Sequence, residues 1–344
     1  MNGVSGAHIR PIMSFVCVIT DHYYTTLEPE ERVLLPLGVK IVVAESHDRV
    51  HQRAALAQAD AVLNQLLPVD TEAIRGMPRC LAIVRYGVGF DTVDMAAATE
   101  AGICVVNVPD YGTQEVALHA ITLLLVVHRR IAQYDGDVRG GRWTRGPDVV
   151  PPIHRLAGRT LGIVGLGRIG KTVAGYAAAL GLHVLAYDPY ITRNAAIDAG
   201  AVLVDYPTLL RQSDFVTFHT PLSEETRHLL GAAELRLMKP DAVVVNTSRG
   251  PVLDTAALAR ALREGRLAGA GLDVFEAEPL GPDHPLRNAP NTILTPHVAW
   301  YSEEAQQALK RSAAEEVARV ARGEWPRSVV NPEVRGTSRL RPKA

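Results

Sequence analysis

Strand-length segments that are apolar at nearly every position recur through this chain, and such segments suit a sheet covered on both faces. A first series comprises residues 15–20 (FVCVIT), 40–45, 61–66, 81–86 and 104–108, with helical spacing over 48–59 and 92–100 between them. A second comprises 160–165, 183–188, 201–204, 214–219, 242–248, 268–274 and 292–296, separated by helices such as 171–180 and 255–264. This alternation predicts parallel sheets wound with helices on both sides, and 344 residues suffice for two such domains. The expected fold class is α/β, with two doubly wound parallel sheets.

Three stretches fall outside the alternation. Residues 113–132 are apolar around too much of their circumference for a surface helix, which places them between domains or in a subunit interface. Residues 136–152, rich in Gly, Pro and charge, show no periodicity and read as a connecting arm. A closing helix is expected over 301–322, and the chain then passes into a solvated tail that is basic over 335–343.

Lys and Arg number 36 against 37 Asp and Glu, so no overall field draws the chain to nucleic acid or an anionic membrane, and a small-molecule partner is favoured. Cys17, Cys80 and Cys104 lie far apart in apolar runs and read as buried thiols of a reducing compartment, with no metal site expected. The apolar segment near the N-terminus is short and lacks a secretory pattern, and no run is long enough to span a bilayer. A cytoplasmic location is expected.

The sequence Gly165-Leu-Gly-Arg-Ile-Gly170 sits between an apolar strand and an Ala-rich helix, and Asp188 closes the next strand. In that context Gly165 permits the turn, Gly167 lets backbone approach a pyrophosphate, and Gly170 lets helix and strand pack, with the helix N-terminus facing the anion. A carboxylate at Asp188 accepts from a ribose 2′-hydroxyl and repels a 2′-phosphate, which favours NAD over NADP. Hydride chemistry needs a proton donor and a group that holds the substrate. In a parallel sheet the strand C-termini share one edge, and that edge carries Arg249, Glu276, Glu278 and His297. Arg249 offers a planar fork to a 2-keto acid, His297 can protonate the nascent alkoxide, and Glu278 is the chosen carboxylate to hold the imidazole.

The segments 85–94 (RYGVGFDTVD), 158–174 (GRTLGIVGLGRIGKTVA), 244–258, 271–280 (GLDVFEAEPL) and 295–305 (TPHVAWYSEEA) resemble the D-isomer-specific 2-hydroxyacid dehydrogenase family, over about 15–331. The resemblance maps the family's Arg, Glu and His onto Arg249, Glu278 and His297. It implies a Rossmann-type NAD-binding domain (110–297) inserted into a flavodoxin-like substrate domain (1–109 and 298–331), with 332–344 as the tail. It also implies cofactor contacts from Arg168, Ile169, Thr220, Pro221, Thr247 and Asp273, and substrate contacts from Tyr86, Gly87, Val88 and Gly89. Within the family the chain resembles the C-terminal-binding-protein branch, which adds Arg85 and Trp300 to the substrate pocket. The expected activity is NAD-dependent interconversion of a 2-hydroxy and a 2-keto acid by a homodimer. The resemblance also admits an NADH-responsive protein-binding scaffold of the corepressor type, or a phosphoglycerate dehydrogenase.

Overall fold

The apolar runs become parallel strands in a computed structural model, which describes residues 15–22, 24–44, 49–145, 148 and 152–341. The chain divides into two compact units, Met1–Tyr111 with Ser302–Ala344, and Gly112–Tyr301. Residues 298–301 thus fall with the second unit, while the closing helix and the segment C-terminal to it fall with the first.

In the first unit, β1 (Val16–Ile19), β2 (Lys40–Val43), β3 (Ala61–Asn64), β4 (Ala82–Arg85) and β5 (Cys104–Val106) form a wholly parallel sheet of order β2-β1-β3-β4-β5. β1, β3, β4 and β5 are buried along their length, as continuous apolar runs require, and β2 is the partly exposed edge. The helix Glu303–Ala321 packs across β3, β4 and the helix Glu28–Leu34. The three cysteines are free and buried, and burial pushes the Cys17 and Cys80 thiols up.

The solvated tail expected over 335–343 is corrected for its described residues, 335–341. Ser338 and Leu340 are buried, Arg339 Nη1 donates to the Met77 carbonyl (2.7 Å), and the Arg339 N–H donates to that of Gly102 (2.9 Å). Asn331 anchors the segment by accepting from the Val105 N–H (2.8 Å) and donating to the Ile103 carbonyl (3.0 Å). Backbone groups at the end of the sheet thereby find partners that hydrophobic periodicity does not register.

In the second unit, β6 (Thr160–Val164), β7 (His183–Tyr187), β8 (Val202–Leu203), β9 (Phe215–Phe218), β10 (Val243–Asn246), β11 (Gly269–Leu272) and β12 (Thr292–Leu294) form a parallel sheet of order β12-β11-β10-β9-β6-β7-β8. Strand order reverses between β6 and β9, the switch point where such folds open a crevice beyond the strand C-termini.

The apolar helix runs Thr113–His128 and packs on β10, β11 and β12 and on the helix Arg168–Ala179, so its buried face is covered by its own unit. A Cβ on Gly271 would lie 2.7 Å from the Leu123 Cβ, so a bare strand lets the helix lie close. The helix does not continue to 132: Arg130 adopts φ +53° and a second helix, Ile131–Arg139, occupies the start of the expected arm. Among the described residues no helix is long and apolar enough to cross a membrane.

Candidate active site

The turns after β6 and β9 meet at the switch point. A Cβ on Gly165, whose φ is +89°, would sit 2.7 Å from the His219 carbonyl oxygen, and one on Gly170 would collide with the Gly165 carbonyl. The fold itself demands those two glycines. At Gly167, the N-cap of the helix Arg168–Ala179, a Cβ would meet no protein atom within 4 Å, so packing within the chain does not require glycine there. Open space at a helix N-terminus, flanked by Arg168 and Ile169, suits a phosphate approaching the backbone.

Three buried polar atoms on this edge lack a hydrogen-bond partner among the described residues: His219 Nδ1, Thr220 Oγ1 and Thr247 Oγ1. They follow β9 and β10, and the adjacent Pro221 is exposed. Burial pushes the His219 imidazole down to about 3, so the ring is neutral, with Nε2 3.0 Å from Thr217 Oγ1. Asp188, just past β7, accepts from the Leu166 N–H and the Tyr190 N–H, both at 2.9 Å. The orphaned hydroxyls and the open glycine fit a dinucleotide laid along this edge.

The proton-transfer candidates converge on the same edge. His297 Nδ1 lies 2.7 Å from Glu278 Oε2, and Glu278 Oε1 accepts from the Phe275 N–H (2.9 Å). Burial pushes the Glu278 carboxyl up, but the His297 contact, the Phe275 N–H and the Arg249 charge outweigh it and hold the group below the usual carboxylate range. His297 itself has φ +54°, a conformation unfavourable for a residue with a side chain and kept only where the surroundings impose it.

Asp273 imposes it. Fully buried, it accepts from the Thr295 hydroxyl (2.6 Å) and Val298 N–H (3.0 Å) with Oδ1, and from the Ala299 N–H (2.8 Å) with Oδ2, while its carbonyl accepts from the His297 N–H (2.8 Å). Asp273, expected at the cofactor, therefore clamps the segment that presents His297.

Arg249 follows β10 and is half-buried, with Nη1 donating to the Ser248 carbonyl (2.8 Å). Its turn is shaped by Asn246, whose Nδ2 donates to the Arg249 carbonyl (2.8 Å) while Oδ1 accepts from the Ser248 N–H (3.0 Å). A Cβ on Gly250 would overlap the Phe275 carbonyl, so the β10 and β11 turns are pressed together and Arg249 lies in the field of Glu278. Glu276 is occupied elsewhere, accepting from the Thr255 N–H (2.9 Å) to cap the helix Thr255–Arg263 and facing His228 Nε2 at 3.0 Å. Trp300 is half-buried, with its ring edge-on to Tyr301 at 5.7 Å.

In the first unit, the carbonyls of Gly87, Val88 and Gly89 are all bound inward: Val108 N–H donates to the first (2.9 Å), Asn107 Nδ2 to the second (2.7 Å) and Arg85 Nε to the third (2.9 Å). The N–H groups of these residues have no partner among the described residues, leaving a run of backbone donors that suits a carboxylate. Arg85, expected at the substrate, is 5% exposed and also donates to the Asn64 carbonyl (3.3 Å) and side-chain oxygen (3.2 Å), bracing the loop from within. Asn64, Asn107 and Asn246, which the sequence pattern did not single out, shape these turns. Their signal is a polar residue at or just past the end of an apolar strand.

Residues 121–299 match the model of the NAD-binding domain of D-isomer-specific 2-hydroxyacid dehydrogenases. The chain belongs to that family. A glyoxylate reductase of Korarchaeum cryptofilum is 39% identical over 318 residues, covering 92% of each chain. A Paecilomyces thermophila glyoxylate reductase superposes with a TM-score of 0.85 at 28% identity, over 93% of this chain and 99% of that one. A D-lactate dehydrogenase from Aquifex aeolicus, solved with NAD and lactic acid, gives 0.80 at 28% identity over 95% and 100%. This D-2-hydroxyacid dehydrogenase is thus an NAD-dependent oxidoreductase that interconverts 2-hydroxy and 2-keto acids.

Proposed function

We propose that this dehydrogenase reduces a short 2-keto acid of the glyoxylate class, with Arg249 holding the substrate, His297 donating the proton and Glu278 orienting His297. The observation that carries the reading is the 2.7 Å contact between His297 Nδ1 and Glu278 Oε2. A carboxylate on Nδ1 fixes the ring and its tautomer, and leaves Nε2, which has no hydrogen bond among the described residues, to meet the substrate oxygen. NADH, when bound, would supply the hydride to the carbonyl carbon. The His297 Nε2 proton goes to the carbonyl oxygen as the C=O π pair moves onto it, giving the hydroxyl. Arg249 binds the substrate carboxylate and polarises the carbonyl. Gly167, Arg168, Ile169, Thr220 and Thr247 hold the nucleotide, Asp188 its ribose, and Trp300 walls the substrate side chain.

The deciding experiment follows NADH absorbance, with NADPH in parallel, as the enzyme meets glyoxylate, hydroxypyruvate and larger 2-keto acids. Consumption of NADH with a small member is expected, and tight NADH binding without turnover across the panel would sink the reading. Arg249→Lys is expected to raise KM for the keto acid about tenfold or more, because a point ammonium cannot reproduce a planar fork. Unchanged KM in steady-state kinetics would remove Arg249 from the substrate.

The enzyme acts in the cytoplasm as a homodimer in this reading. Three buried free thiols suit a reducing compartment. Ile131 and Val138, one face of the second helix, are 51% and 56% exposed, and Trp143 beyond them is 82% exposed, apolar surface of the kind a second copy covers. Sedimentation equilibrium is expected to give twice the chain mass, and a monomer would refute the assembly.

A further inference from the structure

The opposite edge of the second sheet holds a cleft of about 80 Å³ whose lining includes Val127, Arg130, Arg159, Phe215, Val243 and Asn291. Its distinctive member is Arg130, 92% buried on its 8% relative exposure, yet paired among the described residues only with Gln133 Oε1, through Nη1 at a weak 3.4 Å. A guanidinium carries five N–H donors, and Arg130 spends one of them, weakly, on a described protein group, which leaves the others for a ligand. Burial accordingly pushes the Arg130 pKa down.

The other charges at the cleft are already matched. Arg159 Nη1 contacts both Asp214 and Asp241 at 3.1 Å, and Lys239 contacts Asp214 at 2.9 Å. The His128 ring donates from Nε2 to the His154 carbonyl (3.0 Å), and burial favours its neutral form. One uncompensated positive charge therefore remains among the described lining residues, on Arg130. The backbone adds a second, independent mark: of the four described non-glycine residues with positive φ, one is His297 and two, Arg130 (φ +53°) and Asn291 (φ +48°), line this cleft. Asparagine adopts that conformation readily, whereas arginine does so at a cost that surrounding structure must offset.

We propose that this cleft is a binding site for a small oxyanion, a short carboxylate or inorganic phosphate, held by the Arg130 guanidinium against the apolar wall of Val127, Phe215 and Val243. A guanidinium fork matches two oxygens of either anion. The volume admits several water-sized groups and no nucleotide. The site is separate from the crevice at the strand C-termini, because its residues precede β6, β10, β11 and β12 or begin β9 and β10.

The test is the unfolding midpoint of the full chain, by scanning calorimetry, as sodium acetate or sodium phosphate is titrated against sodium chloride of equal ionic strength. A saturable rise is expected from at least one of the two, about 5 °C at a hundredfold the dissociation constant, and which one responds assigns the anion. Arg130→Asn, chosen because asparagine accepts the same φ, is expected to keep or raise the anion-free midpoint and to lose the saturable rise. Arg249→Gln is expected to keep it, which separates this site from the substrate site. No saturable rise in the parent enzyme, a rise that survives Arg130→Asn, or one abolished by Arg249→Gln would overturn the proposal.

Discussion

His297→Ala is expected to lower reductive turnover by about a hundredfold or more while NADH binding is retained. The imidazole contributes two separable things. In the proposed mechanism it presents Nε2 to the substrate oxygen, and through Nδ1 it is held against Glu278 at 2.7 Å. Glu278→Gln keeps the shape but removes the carboxylate that orients the ring through Nδ1, so it is expected to cost less than His297→Ala and to lower kcat more than it raises KM. The pH dependence has a definite sign. The Glu278 carboxyl is held below its usual range in the fold, so its contribution is fully present above the unfolded carboxylate pKa and is lost as pH falls through the depressed value. In Glu278→Gln the acid limb of the stability profile should flatten. A His297→Ala enzyme with near-parent turnover, measured as NADH loss at saturating keto acid, would take this residue out of the chemistry.

The fold was legible because burial on both faces leaves an unbroken apolar signature, and every segment read as a strand contains one. Strand boundaries were legible to within a residue or two and helix boundaries only to within three or four, since caps such as Asp254 or Ser302 act through hydrogen bonds that periodicity does not encode. The helix break at Arg130 was invisible, because no glycine or proline marks it and the left-handed residue is an arginine. The candidate site was legible where chemistry restricts the residue type: Gly165 and Gly170 because nothing larger fits, and the meeting of Glu278 with His297 because strand C-termini of a parallel sheet share one edge. It was illegible where a residue acts through another. Arg85 reads as a cation beside a glycine loop, and only the folded chain turns its guanidinium toward Asn64 and Gly89. Asp273 reads as a cofactor contact, and only the folded chain shows that its carboxylate holds Thr295, Val298 and Ala299.

Lys310→Met is expected to destabilise the first unit by about 3–5 kcal/mol, the usual cost of removing one member of a buried ion pair. Lys310 is fully buried within the helix Glu303–Ala321, a position where spacing alone calls for an apolar residue. Its Nζ donates to the Thr26 carbonyl, lies 3.6 Å from the Glu30 carboxylate and sits 4.7 Å over the Tyr24 ring. Glu30, equally buried, accepts from the Tyr86 hydroxyl at 2.8 Å, so the pair also anchors the residue that opens the 86–89 loop. Methionine matches the stem and removes the charge, leaving Glu30 without its cation. Burial already pushes the Glu30 carboxyl up, against the lowering pull of Tyr86 and Lys310, and losing Lys310 pushes it higher. A carboxyl raised in the fold gains protons there before it does in the unfolded chain, so the stability deficit of the variant should be smallest in acid and grow as pH rises through the raised value. Adding Glu30→Gln should recover part of the loss, since an amide needs no counter-ion. Denaturant unfolding of the two single variants and the double variant at acid and neutral pH measures the coupling. Additive losses that do not change with pH would show that Lys310 and Glu30 stabilise the unit independently, by packing.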